Sequence, residues 1–472
     1  MLFSSFLFIL VLPVAALIYT FLRTRVSRSI SQGYLLLLSL GFYAYGASRQ
    51  LPLLLASILF NWWVSQQLAP GSTPDPPRRR LLIYSLAANI LFLSFFKYIN
   101  FLLAEVKPIF GDQFGLPNWI LPLGISFITL NQVMYLVDTY EGLVPPNTLF
   151  DHATFVSFFP YVIAGPLVRA KLMVEQFQNS LGPTSRNVAE GLALFIIGLF
   201  KKVVFADSLV RLADTAFNDP MNTGAMEAWI SVFAYSLYLY FDFSGYSDMA
   251  VGVARMFGYT IPFNFNMPYA SKSITEFWQR WHISLSSFIT TYLYTPIIRS
   301  FKGRATVGKA AIASVLAMAI SGVWHGAGWP FLLWGVGHGI ALGINQYWRK
   351  KLKRNMADFP AWMFTFLFVV LIAVFFRATD VPNAIAVYHR LIPTQGVASA
   401  LHFSITPGLE ALSYELPSLF AVPFAFIGSS SQQIVEGLSF GPATAAAFAA
   451  MFFVSAIFLN SIAAKVFVYF GF

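Results

Sequence analysis

The residues best suited to chemistry in this chain are histidines inside apolar sequence. There are six: His152, His282, His325, His338, His389 and His402. An ionisable side chain at membrane depth is costly, and it points to function by default. His325 lies 16 residues beyond Lys309, about 24 Å along a continuous helix. The Gly326-Ala-Gly328 stretch and Pro330 follow it directly and predict a helix break at that depth. A break frees backbone N–H groups that can face a developing oxyanion, and imidazole is the side chain suited to taking a proton near neutral pH. The structural alternative is a buried imidazole bonded to a helix carbonyl. His338 sits in a helix with Gly335, Gly339 and Gly343 at spacings of four, a small-residue stripe for close helix packing. His152, His389 and His402 fall near the ends of apolar segments and read as structural.

His282 belongs to the run Ile274-Thr-Glu-Phe-Trp-Gln-Arg-Trp-His-Ile-Ser-Leu-Ser286. Glu276 and Arg280 stand four apart and can pair on one helix face. Trp278, Trp281 and His282 interleave with them. Two readings stay open: an interfacial amphipathic helix, or the polar wall of a catalytic funnel. Tyr240-Phe-Asp242-Phe-Ser244-Gly-Tyr246-Ser247-Asp248 places two carboxylates in an apolar stretch, with Arg255 two helical turns on. Buried carboxylates must be paired or neutralised. An internal ion-pair network and direct substrate contact are both consistent with that run. Gly303 to Ala310 nearly matches a phosphate-binding loop, but Ala310 stands where a hydroxyl should meet magnesium, and we read it as chance.

The elements that must position these residues are membrane helices. Of 472 residues, 57% are hydrophobic and 11% charged, and the mean hydropathy is +0.66; an ordinary soluble domain carries about 25% charge. This composition excludes a soluble enzyme, a disordered chain and a disulfide scaffold. With no cysteine, a thiolate-ligated zinc site and an acyl-thioester on this chain are excluded too. Apolar runs cover 2–22, 34–45, 51–68 and 81–104. Others lie near 119–138, 153–168, 188–206, 227–257, 277–298, 310–322, 329–348, 361–378, 414–428 and 443–470. Several are too short or too broken by Gly and Pro to cross simply. Broken backbone at membrane depth survives only inside protein or along a wet cavity.

The expected fold is therefore all-α: a multi-pass membrane protein of roughly a dozen transmembrane and re-entrant helices around a central funnel. It reads as one membrane-embedded domain, with N-terminal helices over 1–118, a core over about 119–348 and C-terminal helices over 361–472. The stretch 379–413 reads as a connection outside the membrane. Basic clusters at Arg23/Arg25/Arg28, Arg78–Arg80, Lys201-Lys202, Arg299 to Lys309 and Arg349–Arg354 read as cytoplasmic loops. The net charge of +10 is explained by that topology and by contact with anionic membrane lipid. No nucleic acid partner and no metal are expected.

At these motifs the chain resembles the membrane-bound O-acyltransferases. The similarity is to the bacterial branch that includes the membrane subunits of alginate and cellulose O-acetylation and the D-alanyl transfer protein of teichoic acid synthesis. The matching stretches are Phe158 to Pro166, Tyr240 to Met249, Ser273 to Ser286, Tyr292-Leu-Tyr294, Gly322 to Ala327, Leu333 to Gly335, and His338-Gly339. The resemblance implies that His325, in Trp-His-Gly, is catalytic and that His282, in Arg-Trp-His, is the second catalytic histidine beside it, orienting the donor or relaying a proton. Trp324, Asp242, Ser244, Tyr246, Asp248, Trp281, Arg280 and Glu276 are then candidates for substrate contact, and Trp324, Trp329 and Trp334 for excluding water. It implies acetyl-CoA or another cytoplasmic acyl thioester as donor. It also implies an extracytoplasmic acetyltransferase partner with polysaccharide synthesis machinery, and a place in the bacterial inner membrane. Exopolysaccharide, cellulose or alginate, is the expected acceptor; Thr290-Thr291 before Tyr292 departs from the alginate pattern and tilts the expectation to cellulose. The rival expectation is a non-catalytic channel or scaffold subunit of a polysaccharide export complex; another is a lipid-modifying acyltransferase.

Overall fold

The computed structural model describes all residues except 1–2, 73, 111–118, 305, 354–355, 394–408 and 462–472. Every regular element among the described residues is helical. Among the described residues, five helices are long and apolar enough to cross a membrane: Phe6–Val26, Asp75–Lys107, Val307–His325, Asp358–Arg377 and Pro442–Leu459. The rest range from the 32-residue helix Ala225–Met256 to short and interrupted helices such as Ile274–Arg280 and Ile283–Phe288, as the Gly- and Pro-broken apolar runs predict.

The chain forms two compact units, Met1–Phe195 with Met249–Pro262, and Ile196–Asp248 with Phe263–Phe472. In the first, Ser5 caps the helix Phe6–Phe21, and Tyr19 Oη lies 2.6 Å from Tyr259 Oη. Arg23 is not the solvent-facing loop residue expected from its cluster. It is 9% exposed and donates to the backbone carbonyls of Phe177 and Ser180. Helix Ala225–Met256 contributes its last turns here, where Arg255 pairs with Glu190 at 2.8 Å rather than with Asp248. Gly252 permits that approach: a Cβ on it would stand 2.7 Å from the Phe195 nitrogen.

The second unit is organised by the helical hairpin Val307–His325 and Trp329–Tyr347. The small-residue stripe sets its packing. A Cβ on Gly335 would meet the Met318 carbonyl and lie 3.0 Å from Gly322 Cα; on Gly339 it would lie 2.5 Å from Val315 Cα, and on Gly343 3.0 Å from Ala311 Cβ. The paired numbers rise on one helix and fall on the other, so the two run antiparallel with backbones nearly touching. Gly335→Ala should therefore lower stability by about 1–3 kcal/mol through overpacking. Gly41→Ala, at a helix position with open space around it, should cost nothing. Thermal unfolding in detergent checks both, and equal midpoints would contradict this packing account.

Lys201 and Lys202 also depart from the loop reading. They open a π-helical turn, Lys201–Ala206, between helices Ser185–Phe200 and Asp207–Asn218. The Asp207 N–H donates to the Lys202 carbonyl five residues back, which aligns the two side chains. Lys202 Nζ then sits 2.8 Å from Asp207 Oδ1 and 2.7 Å from Asp242 Oδ1. Lys201 Nζ reaches Asp248 Oδ2 at 2.8 Å. Gly245, between the two acids, has no room for a side chain, with the Gly198 carbonyl 2.7 Å from where a Cβ would be. Consecutive lysines thus clamp two carboxylates six residues apart on helix Ala225–Met256.

The near-match to a phosphate loop is spent locally. Lys309 Nζ donates to the carbonyls of Lys302 and Arg304, and Thr306 caps the helix that follows. The stretch 379–413 holds a helix, Val381–Arg390; its residues 394–408, His402 among them, lie outside the described residues.

Candidate active site

His325 is the last residue of its helix, 3% exposed, and the backbone breaks at Gly326, which is extended. A Cβ on Gly326 would collide with the Phe331 ring, so the break is packed as well as sharp. Three rings surround the imidazole: Trp324 at 4.7 Å between centroids, Trp334 at 5.0 Å and Phe376 at 5.2 Å. The edge-to-face arrangement holds the ring by shape. Trp329 does not take part as expected: it is 58% exposed, on the first turn of the next helix.

His338 is closer to this centre than its place in a packing stripe suggests. Trp334 lies between the two imidazoles, 4.8 Å from His338. Trp278 Nε1 donates to His338 Nδ1 at 3.3 Å, which places the proton of a neutral imidazole on Nε2. The i,i+4 spacing of Trp334 and His338 was the available signal: it puts both on one helix face.

From Trp278 the aromatic packing continues through Phe277 to Trp281, stacked at 5.6 Å. His282 comes next, in a left-handed conformation with φ 42° and ψ 56°. A non-glycine residue there is strained and needs its surroundings to hold it. Asn264 does so. Its backbone carbonyl accepts from Ile283 N, and its side-chain oxygen accepts from Ser284 N and Ser284 Oγ at 3.1 and 2.6 Å. His282 is fully buried, edge-on to Phe243 at 4.6 Å. The Glu276–Arg280 pair forms as spaced, at 2.7 Å with both side chains about one-third exposed. Glu276 also accepts from Lys272 N, and Arg280 donates to the Asn266 carbonyl.

The carboxylate run is fully internal. Asp242, Ser244, Tyr246 and Asp248 are all buried. Both acids hold the lysines described above, and Asp248 accepts a further bond from Ser431 Oγ at 2.6 Å. The Ser244 and Ser247 hydroxyls are buried with no hydrogen-bond partner among the described residues. His152 is also buried, packed on Tyr135 at 4.4 Å, whereas His389 is exposed.

A cavity of about 500 Å³ adjoins this centre, with Trp278 as a shared wall. Ile283, Ile289, Met318 and Leu342 give it a mainly apolar lining, in which Thr275, Gln279, Thr290 and Gln346 are among the polar, uncharged groups. Among the described residues no cluster of three or more His, Asp or Glu could hold a metal ion.

Comparison with known proteins bears on this arrangement directly. Residues 146–381, which carry His282, His325 and His338, match the model of the membrane-bound O-acyltransferase family. The chain is 40% identical over 436 residues to a peptidoglycan O-acetyltransferase of Helicobacter pylori, covering 86% of this chain and 82% of that one. It is 38% identical to a probable alginate O-acetylase of Pseudomonas aeruginosa, over 83% of this chain and 75% of that one. A teichoic acid D-alanyltransferase of Bacillus subtilis is 28% identical over 74% of this chain and 90% of its own length. With the buried histidine centre, the multi-pass apolar helices and relatives matched along most of their length, the chain belongs to the membrane-bound O-acyltransferase family and is a membrane acyltransferase.

Proposed function

We propose that this protein is the membrane subunit of a polysaccharide O-acetylation system, working through His325. The observation that carries the reading is the placement of His325: a buried imidazole at a helix break, walled by three aromatic rings. Acyl transfer to an alcohol needs a base for the hydroxyl proton and a site that keeps water from the activated acyl group. In this reading His325 takes the acceptor hydroxyl's proton as its oxygen attacks the thioester carbonyl. The tetrahedral intermediate collapses, the thiolate leaves, and the imidazolium returns the proton to it. His282 and His338 lie on the same aromatic path and serve as positioning residues.

The donor is an acyl thioester such as acetyl-CoA, entering from the cytoplasmic side. The uncharged, mainly apolar cavity beside Trp278 supports this, because a few hydroxyl and amide groups in an apolar lining suit a neutral, amide-bearing arm better than a phosphate. Its volume is in the usual range for a small-ligand site, about 300–1,000 Å³. The acetyl group passes to an extracytoplasmic acetyltransferase partner or to a sugar hydroxyl outside the inner membrane. The names of the relatives, with alginate and peptidoglycan each represented among them, support a polysaccharide as the acceptor class; cellulose, the acceptor to which the sequence tilts, has no representative among these relatives. Deleting the protein should remove ester-linked acetate from one envelope polysaccharide while its synthesis continues. Mass spectrometry of each purified polymer reads this out. Unchanged acetate on every polymer, or loss of a long acyl group instead, would overturn the assignment.

A further inference from the structure

The C-terminal helix Pro442–Ser461 is held by little protein. Over its window Pro442–Leu459 only 6% is buried. Between this helix, helix Leu409–Phe426 and the π-helical turn lies a cavity of about 630 Å³. Its walls are strongly apolar: Phe200, Phe205, Phe420, Phe424, Phe448 and Phe458 all face it. Along the C-terminal helix the lining runs from Ala447 to Phe458, about 16 Å at 1.5 Å per residue. That is about half of the ~30 Å hydrocarbon thickness of a bilayer, the depth of one leaflet.

One end of this slot is polar. Ser429, Ser430 and Ser431 line it where helix Leu409–Phe426 has ended, and Lys201 lines it beside them. Lys201 Nζ donates to Ser431 Oγ at 2.7 Å and to Asp248 Oδ2 at 2.8 Å. An ammonium has three donors, so a third N–H remains for an acceptor. The slot therefore combines a leaflet-deep hydrocarbon channel with an ammonium and serine hydroxyls at one end.

The lining decides between occupants. Water has no partners along phenylalanine walls. A single hydrocarbon chain fits the apolar length, and the serine hydroxyls with the ammonium, whose charge Asp248 balances, call for a head group rich in hydrogen-bond acceptors. We propose that the slot binds one acyl chain of a membrane phospholipid, with its phosphate at Lys201 and Ser429–Ser431. The lipid then fills the space that the C-terminal helix leaves open.

The full-length protein can be reconstituted with phosphatidylglycerol or with diacylglycerol, delipidated stepwise in detergent, and examined by native mass spectrometry. The wild type should retain one phosphatidylglycerol after bulk lipid is gone, and diacylglycerol at least fivefold less. Ala447→Trp puts an indole into the slot from an exposed helix position and should cut retained phosphatidylglycerol at least tenfold. Val454→Trp, on the same lining, repeats the test if the first variant does not fold; elution volume and circular dichroism establish folding. Ser429→Asp sets a carboxylate against the phosphate and should remove the preference over diacylglycerol. Undiminished retention in the folded tryptophan variants would overturn the proposal. So would equal retention of both lipids by the wild type, displacement by inorganic phosphate alone, or a tightly bound transmembrane protein in place of lipid.

Discussion

His325→Ala is expected to lower acetate transfer to polymer by about 10²–10⁴-fold, the range that a positioned general base contributes. Membrane abundance should be compared with wild type in parallel, because the imidazole is packed among three aromatic rings at the end of its helix. His325→Gln makes the test stricter. It keeps a polar side chain of similar reach among Trp324, Trp334 and Phe376 but cannot take up the proton, so it should be as inactive as the alanine variant. His282→Asn is the informative contrast. Asparagine tolerates the left-handed backbone that His282 adopts, so it keeps the turn that Asn264 stabilises while removing the imidazole. A positioning role predicts partial activity in His282→Asn and near-complete loss in His325→Gln. Polymer-bound acetate at matched expression measures all three. Retained acetate in a folded His325→Gln protein would exclude the base assignment and favour a transport or scaffolding role.

What the sequence made legible is what is encoded locally. The break after His325 follows from Gly326, Gly328 and Pro330, which act within a few residues. The Gly335–Gly339–Gly343 stripe and the Glu276–Arg280 pair follow from helical periodicity alone. The arrangements that escaped a sequence reading depend on distant partners. A Lys-Lys pair has the same composition whether it lies in a cytoplasmic loop or faces acids 40 and 47 residues further on, as Lys202 and Lys201 do with Asp242 and Asp248. Arg255 is spaced to reach Asp248 along its own helix, yet it pairs with Glu190, because each aspartate already has a lysine. Nothing in the run Arg280-Trp281-His282 announces a left-handed residue, since the group that holds it, Asn264, lies 18 positions earlier. His338 looked like one residue of a packing surface because its proximity to His325 runs through the side chain of Trp334 and not through the backbone.

Lys202→Met is expected to destabilise the second unit strongly. Lys202, Asp207 and Asp242 have side chains 4%, 3% and 0% exposed, with the ammonium 2.8 and 2.7 Å from the two carboxylates. Removing the cation leaves two like charges buried together, and breaking such a buried pair costs about 3–5 kcal/mol. That is a large part of the 5–15 kcal/mol that separates a folded domain from its unfolded state. The variant should be recovered in low yield, with a markedly lower unfolding midpoint by fluorescence-detected size exclusion. Lys201→Met should be milder. Its side chain is 16% exposed, and Asp248 keeps the Ser431 hydroxyl as a donor. If charge is the cause, combining Lys202→Met with Asp207→Asn and Asp242→Asn should recover much of the lost stability, since removing every member of a buried ion cluster is often neutral. A wild-type midpoint for Lys202→Met alone would refute the clamp as a stabilising element. Asp242→Asn by itself then separates structure from chemistry: it leaves one carboxylate for the one ammonium, so the fold should survive. A folded Asp242→Asn protein with wild-type transfer assigns the acid to the clamp, whereas a folded but inactive one assigns it to the acyl-transfer path.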